Sequence, residues 1–377
     1  MKKNNLLKNS GVQSLIASVL CILVGLLVGY IALLIINAEG AWKAITTICK
    51  NFMYYPSKPA QIKYLGNTLV KTAPLLMCAL SVLFAYKVGM FNIGVAGQYV
   101  AGACAGLYAA LAWNMPWYVC LILAMAAGAV LGAAAGLLKT KCNVNIVISG
   151  IMLNWIMLYL TNLLLGTVKS PTSPYTKGLQ GTNPAALIPS LGLGKLFNNE
   201  KSVTIAIPLA VLVAVAVWVI LNKTKFGYEL KATGNNKNAA KYAGMKENRN
   251  IILTMAIAGG LAGMAAALLY LSGYEQWSCS QASVPGMGFN GIAAAFLGGL
   301  NPIGSIFSSY FIQHITDGGA FVNTNMYCAQ ISDLISAVII YLCGFVLFIK
   351  LTIRKLPFKN PTMKAKFDKA RKAESNE

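Results

Sequence analysis

Long apolar segments alternate with short polar ones along almost the whole chain. A helix that crosses a bilayer needs about 20 apolar residues, and the pattern predicts an all-α polytopic membrane protein with about ten spans. The eighth and ninth segments are short and are separated by Gly298, Gly299 and Pro302, so half-length or re-entrant helices are expected there. The predicted spans are 13–36, 68–87, 92–112, 117–138, 144–165, 203–221, 251–271, 286–300, 303–316 and 331–350.

The polar stretches divide the chain around one transmembrane domain, residues 13–350. The apolar run that follows the polar residues 1–12 is longer than the core of a signal peptide, about 7–15 residues, so it is expected to remain as the first span. Four prolines and several glycines favour an ordered loop at about 166–202. A second polar loop is predicted at about 222–250, and a basic tail at 351–377.

The distribution of Lys and Arg predicts the orientation, because these residues collect on the cytoplasmic side of a membrane protein. The loop 222–250 carries seven of them and two Glu. The segments predicted on its side of the membrane hold 22 of the 31 Lys and Arg residues, against nine on the other side. Both termini and the loop 222–250 are therefore predicted to be cytoplasmic, and the loop 166–202 external.

The composition supports a membrane protein and excludes several other classes. The chain is 57% hydrophobic and 11% charged, and its formal net charge is +21. Such a charge could indicate a nucleic-acid partner, but the positive-inside bias explains it, so no nucleic-acid binding is expected. With one histidine and no C-x-x-C pair, a metal site is not predicted. Cys279 and Cys328 are predicted to be external, and free thiols are expected there in preference to a disulfide.

The loop 222–250 also predicts local structure. A short Asx side chain at Asn235 or Asn236 can cap a helix, the residues NAAKYA favour that helix, and Gly244 can end it. The predicted helix of about two turns would present Ala239, Ala240 and Ala243 as a smooth face for another protein. The alternative is an ordinary basic loop that only follows the charge rule.

The sequence FGYELKATGNNKNAAKYAGM within this loop resembles the coupling segment of ABC-transporter permeases of the simple-sugar and nucleoside branch, which are similar to branched-chain amino acid permeases. The resemblance implies that the helix docks in a cleft of a separate ATPase subunit. The residues that match the family pattern are Gly227, Leu230, Lys231, Ala232, Gly234, Asn236, Ala239, Ala240, Ala243 and Gly244.

Three further segments resemble the same family and place amide side chains in or beside the predicted spans. They are GMFNIGVAGQ at 89–98, VNIVISGIMLNWI at 144–156 and GMGFNGIAAAFLGGLNPIGS at 286–305. Where the family pattern has an acidic residue, this chain has Ala96, Ile146 and Asn290. The amides are candidates for lining a solute pathway, and the alternative is that they tie helices together. These candidates are Asn92, Gln98, Asn145, Asn154 and Asn290.

The interiors of the predicted spans hold no Asp or Glu, which disfavours a proton relay and favours a neutral solute. The chain also lacks a G-x-x-x-x-G-K-[ST] phosphate loop, so no cofactor is expected in it, and ATP and Mg²⁺ would bind a partner. The resemblance implies three protein partners in a bacterial plasma membrane: an ATPase with tandem nucleotide-binding domains, a second non-identical permease, and an external substrate-binding lipoprotein.

The predicted function is therefore that of a non-enzymatic permease subunit of an ABC importer for nucleosides or a related neutral solute. Simple sugars and riboflavin-like solutes are alternatives within this class. A secondary transporter or channel that works alone is the alternative outside it, and the coupling segment and the acid-free spans disfavour it.

Overall fold

The computed structural model describes residues 10–322, 327, 337–338, 341–342 and 345. Most of the predicted tenth span, Cys328 and the basic tail lie outside them. The described residues form helices joined by loops, with two isolated β-bridges. The α-helices are α1 Ser10–Ile36, α2 Ala38–Lys50, α3 Lys58–Tyr86, α4 Val95–Leu111, α5 Trp117–Lys141, α6 Ile146–Gly166, α7 Leu179–Thr182, α8 Leu193–Leu196, α9 Ala206–Lys223, α10 Lys225–Asn235, α11 Lys237–Tyr242, α12 Glu247–Tyr270, α13 Gly286–Leu297 and α14 Pro302–Gly318.

The described helices agree with a polytopic membrane protein. Six of them, α1, α3, α5, α6, α9 and α12, are long and apolar enough to cross a bilayer, and α4 and α13 are shorter apolar helices. A helix lies at each of the first nine predicted spans. One boundary differs clearly: α3 begins at Lys58, ten residues before the predicted start at 68.

Helices α3 and α12 form the centre of the bundle, and most of their residues are buried. Helix α12 packs against α5 through small residues, as is common where helices associate in lipid. The backbones approach so closely at Gly128, Gly259 and Gly263 that a β-carbon on any of them would collide with the opposite helix. Gly102 of α4 packs against Gly263 of α12, so the backbones of α4 and α5 both contact α12 near this residue.

At this centre α4 runs back antiparallel to α3, and α13 runs back antiparallel to α12. The irregular segment 87–94 joins α3 to α4, and the irregular segment 271–285 joins α12 to α13. Gly288 of α13 packs against Ala96 in the first turn of α4, and Gly291 packs against Cys78 of α3. Since Cys78 lies about 12 Å from the end of α3 along the axis, α13 begins deep inside the bundle. The eighth predicted span is thus a half-length helix.

The bundle has two unlike ends. We call one the α10 end, where α3, α5 and α9 finish and where α10, α11 and the start of α12 lie. We call the other the loop end. It carries α2, the long loop 167–205 with its short helices α7 and α8, and the segment 271–283.

Candidate functional site

Helix α10 is built against the α10 end of the bundle. Thr224 starts it, because its hydroxyl accepts a hydrogen bond from the backbone N–H of Gly227 at 3.1 Å. Leu230 and Thr233 are fully buried. The Nδ2 of Asn250, in the first turn of α12, donates to the Thr233 hydroxyl at 3.2 Å. One face of α10 is thereby attached to α12.

Two glycines fix the other contacts of α10. Gly227 lies against the backbone carbonyls at the end of α9, and Gly234 lies against the carbonyl of Lys87 just after α3. A β-carbon at either position would fall well inside contact distance of these carbonyl oxygens. Both glycines belong to the predicted coupling pattern, and the structure gives their physical role: they let α10 lie directly on the ends of α3 and α9.

Helix α11 follows with the predicted cap. The Oδ1 of Asn236, rather than Asn235, accepts from the backbone N–H of Ala239 at 3.0 Å. Gly244 has a φ of +79°, in the left-handed region where glycine is favoured after a helix. The predicted short helix with these caps is confirmed.

The predicted alanine face needs a correction at Ala240. Ala239 and Ala243, four residues apart, are both exposed, but Ala240 is only 3% exposed and turns toward the rest of the protein. The physical reason is that a helix of six residues lying on a bundle has one inner side, and adjacent positions point about 100° apart. Ala240 occupies that inner side, while Ala232 on α10 is partly buried.

The structure adds two aromatic residues to the exposed surface of this segment. Tyr242 at the end of α11 is 94% exposed, and Tyr228 of α10 is 67% exposed. Exposed aromatics are enriched at protein interfaces. Neither tyrosine was among the predicted coupling residues, although an aromatic residue in a polar segment was a usable signal. We call the exposed side chains of Tyr228, Ala239, Tyr242 and Ala243 the α11 face.

Inside the bundle, Asn92 and Gln98 bond to each other. The Asn92 Nδ2 donates to Gln98 Oε1 at 2.9 Å, and the Gln98 Nε2 donates back to Asn92 Oδ1 at 3.4 Å. The Asn92 Nδ2 also lies 3.4 Å from the Ser81 hydroxyl of α3. Both amides are buried. This pair fixes the segment 87–94 to the first turn of α4 and to α3.

Asn154 of α6 holds the same segment from the other side. Its Oδ1 accepts from the backbone N–H of Gly97 at 2.7 Å, and its Nδ2 donates to the carbonyl of Ile93 at 3.1 Å. It therefore caps α4 from a neighbouring helix, which satisfies one of the free N–H groups of the first turn. The backbones of Gly94 and Gly150 meet beside this contact.

The remaining two candidates differ from these three. Asn145 is the N-cap of α6, where its Oδ1 accepts from the Val147 N–H at 2.9 Å, and it lies at the protein surface. Asn290, the fifth residue of α13, is partly exposed, and within the described part of the chain no hydrogen bond is seen for its side chain. The structure thus brings Asn92, Gln98 and Asn154 together as one network and leaves the Asn290 amide open.

The chain is similar to known permeases over most of its length. It is 32% identical to the guanosine ABC transporter permease protein NupP of Bacillus subtilis (strain 168), over 79% of this chain and 86% of NupP. It is 29% identical to the nucleoside ABC transporter permease protein NupB of Lactococcus lactis subsp. cremoris (strain MG1363), over 92% of this chain and 95% of NupB. It is also 28% identical to NupQ, another guanosine ABC transporter permease protein of B. subtilis, over 65% of this chain and 78% of NupQ.

The family described as the permease component of branched-chain amino acid transport systems matches residues 64–344. The match covers more than half of the chain and includes α10, α11, the network around Asn92, and α13. The resemblance seen in the sequence is confirmed, and the chain belongs to this family of transport permeases.

Proposed function

We propose that the chain is the membrane-spanning permease subunit of an ATP-driven ABC importer for nucleosides. One observation carries the proposal: α10 packs against the ends of α3 and α9 and is hydrogen-bonded to the start of α12. Helix α11 follows it and has an exposed face. A helix fixed to three spans moves them when a partner pushes it. The names of the similar permeases, guanosine and nucleoside transporters, support the choice of solute.

The proposed topology has ten spans, with both termini and the α10 end in the cytoplasm and the loop end outside a bacterial plasma membrane. The excess of Lys and Arg in the segments on the side of α10 supports this orientation. Single cysteines at Lys231 and Lys177, in a cysteine-free background, test it with a membrane-impermeant thiol reagent. We expect labelling from outside intact cells at position 177 only, and labelling at 231 would contradict the orientation.

Three protein partners complete the proposed transporter. The α11 face would dock in a cleft of an ATPase with tandem nucleotide-binding domains, which would bind ATP and Mg²⁺. A second, non-identical permease would pack beside this chain; the two guanosine permeases NupP and NupQ of one organism support such a pair. A substrate-binding lipoprotein would deliver solute at the loop end.

The structure divides the proposed pathway residues into two roles. Asn290 would face the solute, because its amide is open and lies at the start of a half-length helix deep in the bundle. Asn92, Gln98 and Asn154 would act indirectly by holding the start of α4, against which α13 packs. An amide both donates and accepts, so it matches ribose hydroxyls and base edges without a charge.

In the proposed cycle, ATP binding closes the ATPase domains and displaces α11. Because α10 is fixed to α3, α9 and α12, the displacement reaches the centre of the bundle, and the pathway opens alternately to the two sides. Helices α4 and α13, which start deep in the bundle and run in opposite directions, are suited to such a change at mid-depth. The chain itself performs no covalent chemistry in this cycle.

Vesicles that contain this chain and all partner subunits test the proposal. We expect uptake of radiolabelled uridine or guanosine that requires ATP on the side of α10 and is indifferent to an imposed proton gradient. Uptake driven by a proton gradient without ATP would contradict it and would favour a secondary transporter. Competition by excess simple sugars or riboflavin, with no competition by nucleosides, would keep the ABC importer and change its solute.

A further inference from the structure

A recess of about 200 Å³ opens at the loop end, away from the network around Asn92. One wall is the stretch 176–180 of the long loop. The other wall lies at and just after the end of α12, and Leu107 of α4 also lines the recess. The lining residues of this second wall are Tyr270, Gly273, Glu275 and Gln276. Sites for drug-sized ligands usually have volumes of about 300–1,000 Å³. The recess is smaller, so it suits a group about the size of one sugar ring.

The two walls are held together by the backbone. The Thr176 N–H donates to the carbonyl of Trp277 at 2.9 Å, and the Cys279 N–H donates to the carbonyl of Pro174 at 2.9 Å. The fully buried Trp277 donates its ring N–H to Asn162 Oδ1 of α6 at 3.0 Å. The recess is therefore an ordered part of the fold and not a gap between loose loops.

One polar group beside the recess lacks a partner. Thr176 lines the recess and is 1% exposed, and within the described residues its hydroxyl has no hydrogen-bond partner. Buried polar groups are nearly always hydrogen-bonded, since leaving one unpaired is costly. A hydroxyl in this position favours a polar occupant that bonds to it.

The charges around the recess decide between classes of occupant. Glu275 and Lys177 both line it, so an anion would meet the carboxylate and a cation would meet the ammonium group. Burial raises the pKa of Glu275, and the positive charge of Lys71 partly opposes that rise. The Glu275 side chain is exposed at the recess, so its carboxylate can accept hydrogen bonds from hydroxyl groups, and the amides of Gln180 and Gln276 add donors and acceptors.

We infer that this recess binds the ribose ring of a nucleoside, with Glu275 accepting hydrogen bonds from the two neighbouring ribose hydroxyls and Thr176 bonding to the ring at its edge. The inference rests on the proposed function for its solute and for the external position of the loop end. It adds a binding site distinct from Asn290, at the point where solute would arrive from outside.

Direct binding tests the inference separately from transport. The full chain, in complex with the second permease and the ATPase, is placed in lipid nanodiscs without the lipoprotein, and binding of uridine is compared with that of 2′,3′-dideoxyuridine. We expect Glu275→Gln to weaken uridine binding about tenfold, and Thr176→Val about threefold, which is the scale of one or two lost hydrogen bonds. Thr182→Val, an exposed position on the same loop, is the matched control and should bind normally.

The dideoxy ligand gives the sharper test. Because it lacks both ribose hydroxyls, this ligand cannot donate to the side chain at position 275 in either protein. It should therefore bind the wild-type protein and the Glu275→Gln variant equally, as in a double-mutant cycle. Unchanged uridine binding in both variants, with ATP-driven uridine uptake intact, would overturn the inference and leave the proposed function standing. Weakened binding in the variants without any ATP-driven uptake would support the recess and contradict the proposed function.

Discussion

The two ends of this bundle differ in which contacts join their elements across long stretches of sequence. At the α10 end, glycines bring backbones into direct contact, as at Gly227 and Gly234, and the bond from Asn250 to Thr233 adds to these contacts. At the loop end, polar side chains add to the backbone hydrogen bonds: Lys71 pairs with Asp317 at 3.2 Å, and Asn183 donates to the carbonyls of Ala110 and Met115. Close backbone contact between helices transmits displacement, whereas polar side chains beside a recess can bind a solute. The contrast fits an end that is pushed and an end that receives solute.

The largest effect is expected at the α10 end, from Gly234→Ala. If space were free, alanine in a helix would stabilise the protein by up to about 1 kcal/mol relative to glycine. The new β-carbon would instead strike the carbonyl of Lys87, and overpacking of this kind costs about 1–3 kcal/mol. We expect a lower midpoint of thermal unfolding in detergent. Gly181→Ala at the loop end, where no atom lies within 4 Å of the added carbon, is the matched control and should change the midpoint little.

A comparable loss is expected at the loop end from Lys71→Ala. The side chains of Lys71 and Asp317 are 25% and 17% exposed. Removing the lysine leaves a largely buried carboxylate whose remaining hydrogen-bond donor among the described residues is Gln313. The scale for such an unpaired group is about 1–3 kcal/mol. Adding Asp317→Asn should restore much of the stability, as thermal unfolding would show.

A second ion pair provides the control for that prediction. Lys63 and Glu200 also pair at the loop end, at 3.4 Å, but the Lys63 side chain is 47% exposed. Exposed pairs contribute about 0–1 kcal/mol, so Lys63→Ala should barely move the unfolding midpoint. Equal losses for the Lys71 and Lys63 variants would mean that burial does not distinguish the two pairs.

The smallest effect is a pH dependence at Glu275. Burial raises the pKa of this carboxyl above its ordinary value of 4.5, so the folded protein holds the proton more tightly than the unfolded chain does. The contribution of the neutral carboxyl to the free energy of unfolding is complete below pH 4.5. It is lost as the pH rises through the pKa of the folded protein. Relative to Glu275→Gln, the wild-type protein should therefore lose stability as the pH is raised from 4.5. A relative gain in stability over the same range would contradict the assigned direction.

Much of the fold could be predicted because hydropathy and caps are local. The helices at the first nine predicted spans, the cap at Asn236 and the turn at Gly244 all depend on short stretches of sequence. Helix α2 was not predicted, although Asn37 caps it and its buried residues Ala41, Ala44, Ile45 and Ile48 recur at helical spacing. The early start of α3 was missed because its first turns are too polar for a hydropathy criterion.

The site was less predictable because the hydrogen-bond and packing partners of its residues lie far away in the sequence. The sequence shows that Asn92, Gln98 and Asn154 are polar residues in apolar surroundings, but not that they bond to one another and to the start of α4. The inward turn of Ala240 depends on how α11 lies on the bundle, which a six-residue helix does not reveal by itself. Both outcomes depend on tertiary packing, which no local pattern encodes.

The central claim is that the α11 face docks with the ATPase, and three alanine-to-aspartate variants test it most directly. Ala239 is exposed on α11, Ala240 is its buried neighbour, and Ala185 is exposed at the loop end. The measurement is co-purification of the ATPase with each full-length variant, together with the variant's unfolding midpoint. Ala239→Asp should lose the ATPase at an unchanged midpoint, Ala240→Asp should lower the midpoint, and Ala185→Asp should change neither. Normal ATPase association by a folded Ala239→Asp protein would contradict the account.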